Sequence, residues 1–122
     1  MAHVLIIEDN PSNMALVELL LQSVGHTVVK AADAEAGLTL ARNEHPGLIL
    51  MDIQLPGMDG LAATALLKND TTTRTIPVIA LTALAMKGDE ARIRAAGCDD
   101  YIAKPLVYQH FLAAVAVQLG LR

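Results

Sequence analysis

The chain has no tryptophan, one phenylalanine and two tyrosines among its 122 residues. Stacked rings cannot build its core, so the packing falls to Leu, Ile, Val, Ala and Met. A single cysteine, Cys98, excludes an intrachain disulfide. That suits a reducing cytoplasm, with Cys98 itself read as a small buried apolar side chain. The chain has no basic run and no interleaving of aromatic with basic residues, so direct nucleic-acid binding is not expected. No apolar stretch approaches the ~20 residues of a bilayer span, and the amino terminus lacks a signal-peptide pattern. These absences lead us to expect a cytoplasmic protein with no membrane span.

What is present favours a folded unit. Hydrophobic residues make up 53% and charged residues 18%, enough for a substantial core and too apolar for disorder. Nine basic against 13 acidic residues give a formal charge of -4. The length suits one domain, expected to occupy residues 1–122. Short apolar runs alternate with helical patterns five times, without repeats or linkers. Strands are expected at His3–Ile7, Thr27–Ala31, Leu48–Asp52, Ile76–Leu81 and Asp99–Ala103. Helices are expected at about Pro11–Val24, from Asp33 as cap to near Asn43, and at Leu61–Lys68, Met86–Ala96 and Val107–Leu119. On the first helix Met14, Val17, Leu20, Leu21 and Val24 share a face. Strands alternating with helices across short loops imply an α/β fold, a parallel sheet covered on both faces.

The chemistry collects where strands end. Leu48-Ile49-Leu50-Met51 runs straight into Asp52, a lone carboxylate at the carboxyl edge of a buried strand, where open α/β sheets bind ligands. Taken alone, Asp52 could equally do no more than hydrogen-bond its turn. The first strand, however, ends in Glu8-Asp9, followed by Asn10-Pro11 as helix cap and first turn. If these strands are neighbours, three carboxylates converge and require a cation. Oxygen-only ligands favour a hard ion, with Mg2+ the usual choice where phosphate chemistry follows. Two more strand ends add the hydroxyl of Thr82 and the ammonium of Lys104. Each alone reads as a cap or a solvated charge, but four coincidences at four strand ends do not.

In order and spacing, the segments Leu5–Asn10, LILMDIQLPGMDG (48–60), IPVIALTA (76–83) and YIAKP (101–105) resemble the receiver domain of two-component response regulators. The likeness covers essentially the whole chain. Met86-Lys87-Gly88-Asp89-Glu90 with Gly97-Cys98-Asp99 looks most like stand-alone DivK-type regulators. The resemblance implies a flavodoxin-like (βα)5 fold with a five-stranded parallel sheet, order 2-1-3-4-5, placing the ends of strands one and three together. It implies Asp52 as phosphoacceptor, with Mg2+ held by Asp9, Asp52 and the backbone carbonyl of Gln54, and by Glu8 through water. Thr82 and Lys104 would bind the phosphoryl oxygens, Lys104-Pro105 would be a cis peptide, and Tyr101 would be a switch aromatic. The partners implied are a sensor histidine kinase or histidine phosphotransfer protein, and a downstream protein effector or kinase. That effector would read a face formed by helix four, strand five and helix five, with Lys87, Glu90, Arg94, Tyr101, Tyr108 and His110. Gln54 and Leu84 offer no base to activate water, so self-hydrolysis is expected to be slow.

Two other readings differ in class or setting. A Mg2+-dependent aspartyl phosphohydrolase would need an acid-base group two residues after the nucleophile, where this chain has the amide of Gln54, unable to shuttle a proton. A receiver excised from a hybrid sensor kinase or multidomain regulator would share most of these motifs. Met1 a few residues before the first strand favours a stand-alone start.

Overall fold

The structure, a computed structural model, describes residues 3–83 and 89–120. Five strands, β1 (His3–Ile7), β2 (Thr27–Ala31), β3 (Leu48–Asp52), β4 (Val78–Thr82) and β5 (Asp100–Ala103), form one parallel sheet of order β2-β1-β3-β4-β5. Five helices alternate with them: α1 (Pro11–Ser23), α2 (Ala34–Glu44), α3 (Gly60–Asn69), α4 (Asp89–Ala95) and α5 (Tyr108–Gln118). This is the expected flavodoxin-like α/β architecture. β3 and β4 are buried at all five positions, because helices cover both faces and leave no polar side to the strand.

The sheet divides the core into two layers. Leu5, Ile7, Ile49, Met51, Val78 and Ala80 pack beneath Leu38 of α2, Leu67 of α3 and Ile93 of α4. Val4, Ile6, Leu48, Leu50, Ile79 and Leu81 meet Val17 and Leu21 of α1 and Phe111 and Val115 of α5. Odd and even strand positions therefore face opposite layers, as period-two geometry requires. Phe111, with no exposed surface, is the one large ring in the interior. Cys98 is buried as expected, and burial pushes its thiol pKa up.

Differences from the sequence reading lie at element ends. Val24 is the cap residue of α1 rather than part of its apolar face, and it is 52% exposed. Having left helical geometry at φ -111, its side chain no longer follows the 3.6-residue stripe. β4 begins at Val78 instead of Ile76, whose N–H is taken by the Thr73 carbonyl, while Pro77 has no N–H and only accepts, from Ile49. α3 and α5 shift by one residue at their ends, and α4 is described from Asp89. Leu84, Met86 and Lys87 lie outside the described residues.

Register positions the site. β1 and β3 are adjacent, Ile7 pairing with Met51, and β3 adjoins β4 with Asp52 opposite Leu81. At the other side of β4, Thr82 pairs with Ala103 of β5. The carboxyl ends of β1, β3, β4 and β5 thus lie at one edge, beside the point where the connections diverge to opposite sides of the sheet.

Candidate functional site

Glu8 and Asp9 follow β1 because the chain turns there into α1. Asn10 caps that helix, its side chain accepting from the Asn13 N–H at 3.0 Å, and Pro11 stands in the first turn. The Asn10 N–H donates to Glu8 Oε2 at 3.2 Å, fixing the carboxylate toward the sheet edge. Glu8 is 2% exposed, Asp52 is 4% exposed, and Asp9 stands in solvent. One carboxylate oxygen from each of Glu8, Asp9 and Asp52 falls within 4.8 Å of the others.

Lys104 enters from the end of β5. Its Nζ lies 3.0 Å from Glu8 Oε1 and 3.3 Å from Asp52 Oδ2. Its own N–H donates to the Thr82 carbonyl at 2.7 Å, which sets Lys104 and the buried Thr82 at the same level of the edge. The Lys104-Pro105 peptide is cis. The second oxygen of Asp52 accepts from the Gln54 N–H at 3.1 Å. Burial, and next the hydrogen-bonding contact with Asp52, raise the pKa of Glu8, opposed by Lys104 and the Asn10 N–H. A cleft walled by Asn13, Leu16, Val17, Leu81 and Leu106 opens beside Glu8 and Lys104.

Glu8, Asp9, Asp52, Thr82 and Lys104, expected at strand ends from the sequence, lie at one edge of the sheet. Gln54 contributes its backbone at the same place, with its side chain exposed. Tyr101 stands back from the cluster, half-buried on β5 opposite Ala80. Gly60 escaped sequence reasoning. Its N–H donates to the Ile53 carbonyl at 2.9 Å, and a β-carbon there would press on the carbonyl oxygen of Asp52. The available signal was a glycine directly after the helix-capping Asp59, a first-turn position with no need of glycine for the helix itself.

One ammonium against three clustered carboxylates leaves an excess of negative charge in a largely buried place. The oxygen-only donor set and the partly solvated Asp9 fit a small hard cation that retains water ligands.

Fold and site together define a response regulator receiver, and the chain belongs to that family, matching the response regulator receiver domain over residues 4–116. It is a signalling protein, a phosphoacceptor of two-component pathways whose partner is a histidine kinase. Among its curated relatives is the polar-differentiation response regulator DivK of Brucella ovis, 49% identical over 117 residues, spanning 96% of this chain and 95% of that one. Among solved structures, a putative response regulator from Chloroflexus aurantiacus superposes with a TM-score of 0.94 at 29% identity, covering 98% of both chains. The receiver domain of the sensor histidine kinase PA1611 from Pseudomonas aeruginosa gives 0.91 at 35% identity, again over 98% of both. That structure has a magnesium ion coordinated in its active-site cleft. Receiver domains bind Mg2+, and the acidic triad for it is present here.

Proposed function

We propose that Asp52 accepts a phosphoryl group from the phosphohistidine of a sensor kinase or phosphotransfer protein. In this reading Asp9, Asp52 and the Gln54 carbonyl would hold Mg2+, with Glu8 acting through water, and the ion would neutralise charge on the phosphoryl oxygens. A carboxylate oxygen of Asp52 forms the new bond to phosphorus as the bond to the histidine nitrogen breaks and the imidazole keeps the electron pair. The Asp52 carboxylate is aimed by the Gln54 N–H on one oxygen and Lys104 on the other. Lys104 then transfers its ion pairing to the phosphoryl group, and the Thr82 hydroxyl donates to another of its oxygens. The observation that carries this reading is the convergence of Glu8, Asp9 and Asp52 within 4.8 Å beneath Lys104.

The signal passes through Tyr101 to the face formed by α4, β5 and α5, where a downstream effector or kinase docks. The match, over 96% of this chain and 95% of the DivK relative, supports reading residues 1–122 as one receiver domain. Among the described residues no helix is long and apolar enough to cross a membrane, and a cytoplasmic setting belongs to this reading.

Incubation with phosphoramidate or a phosphohistidine protein tests the assignment. One phosphoryl group should be added in Mg2+ and almost none in chelator. Asp52→Asn should abolish labelling, and Asp9→Ala should lose most Mg2+ affinity. Labelling of Asp52→Asn at the wild-type rate would sink the proposal.

A further inference from the structure

The face of the Tyr101 ring is occupied. The Arg94 guanidinium of α4 lies over it, Cζ 5.8 Å from the ring centroid, within the range at which a cation is attracted to an aromatic face. One helical turn earlier, Glu90 Oε1 sits 3.5 Å from Arg94 Nε. The two charged side chains are 51% and 55% exposed, so the ion pair is screened and adds little by itself. It does occupy the Nε edge of the guanidinium and so leaves the planar face to the ring. Among the described residues β5 pairs only with β4, and Arg94 of α4 restrains the Tyr101 ring on that flank. On the other flank a groove runs past Ala103, Pro105, Val107 and His110.

We propose that Arg94 is a positioning residue for Tyr101. It holds the ring against α4 in the unphosphorylated protein and so sets how far the resting equilibrium lies from the activated arrangement. This rests on the reading of Tyr101 as the switch. A contact made in only one of two states shifts their ratio by its own free energy and no more. A ring that turns away from Arg94 loses this contact, so Arg94 favours the resting state. For a solvent-exposed cation over an aromatic ring the effect is about two- to fivefold in the equilibrium.

The chain has two tyrosines, so Tyr108→Phe in protein labelled with 3-fluorotyrosine leaves Tyr101 as the one fluorinated ring. Fluorine spectra are recorded in Mg2+, with and without beryllofluoride, for Arg94, Arg94→Lys and Arg94→Ala proteins. The expected result is a Tyr101 resonance that moves on beryllofluoride addition. In resting Arg94→Ala it should lie part-way along the same displacement, with Arg94→Lys, which keeps the cation, between the two. Phosphoramidate needs no docking surface, so its labelling rate reads the equilibrium of the domain alone. That rate should rise about two- to fivefold in Arg94→Ala and be partly restored toward wild type in Arg94→Lys. If beryllofluoride moves Tyr101 but Arg94→Ala leaves the resting resonance in place, or its labelling rate is unchanged or lower, the proposal is overturned while the switch reading stands. A resonance unmoved by beryllofluoride in every background overturns both.

Discussion

A β-carbon on Gly60 would collide with the Asp52 carbonyl oxygen and lie 2.8 Å from Ile53 Cα. Both are backbone atoms of the strand end that presents the acceptor, so neither yields as a flexible side-chain tip would. Gly60→Ala should therefore push α3 away from β3, destabilise the protein by about 1–3 kcal/mol and displace Asp52 relative to Lys104. Misplacing a reacting group by a fraction of an ångström to an ångström slows reaction by roughly ten- to a hundredfold. Phosphoramidate labelling under conditions where the variant is still folded by circular dichroism checks this, and unchanged labelling would separate Gly60 from the site. The carboxylates were legible in the sequence because each follows an unbroken apolar run, and burial of that run dictates where its polar terminus emerges. The contacts of Gly60 with the Asp52 backbone and of Arg94 with the Tyr101 ring were not legible, since each exists only once α3 or α4 is packed. The threefold grip of Lys68 Nζ is hidden for the same reason: it donates to the carbonyls of Arg74 and Ile76 and to Asp99 Oδ2, joining α3 to the starts of β4 and β5.

Element ends show where local chemistry and packing disagree. The caps Asn10, Asp33 and Asp59 each accept a hydrogen bond from the N–H three residues on, at 2.8–3.0 Å, and all three helices begin where these residues direct. The capping residue of α5 is Val107, with no side-chain hydrogen bond, so no polar punctuation marked that start. At the end of α2, His45 takes φ 45, ψ 58, a left-handed conformation, with its N–H bonded to the Ala41 carbonyl. This costs a β-carbon-bearing residue about 1–2 kcal/mol, whereas glycine adopts it freely at an entropic disadvantage of about 0.5–1 kcal/mol in the unfolded chain. The first effect is the larger. His45→Gly should raise stability by about 0.5–1 kcal/mol, measured as a higher urea midpoint at unchanged m-value, and a lower midpoint would show that the imidazole makes a compensating contribution. The strand order itself was legible only through the resemblance. Alternating βα units imply a parallel sheet, but the adjacency of β1 and β3 depends on which face each connection crosses, which periodicity does not encode.

At the scale of the whole molecule, two buried groups, His26 and Glu8, couple folding to acid pH with opposite sign. His26 follows Gly25 in the connection from α1 to β2 and is 7% exposed, and burial lowers its pKa below the ordinary 6.5. The unfolded chain therefore protonates His26 first as pH falls. Its contribution to stability is intact above about pH 6.5 and declines below it, until the folded-state imidazole itself titrates. The slope from one proton is bounded at about 1.4 kcal/mol per pH unit. Glu8 works the other way. Its pKa is raised above 4.5, so between that value and its folded one the native state binds the extra proton, and stability rises as pH falls. A wild-type profile alone mixes the two. Urea melts of wild type and His26→Gln at matched Mg2+ between pH 7.5 and 5 isolate the histidine. The difference in stability should be constant above about pH 6.5 and should narrow or reverse as pH falls, because only the wild type loses the His26 contribution. Profiles that stay parallel down to pH 5 would mean that the imidazole protonates equally easily folded and unfolded, and that the acid sensitivity of this fold has another source.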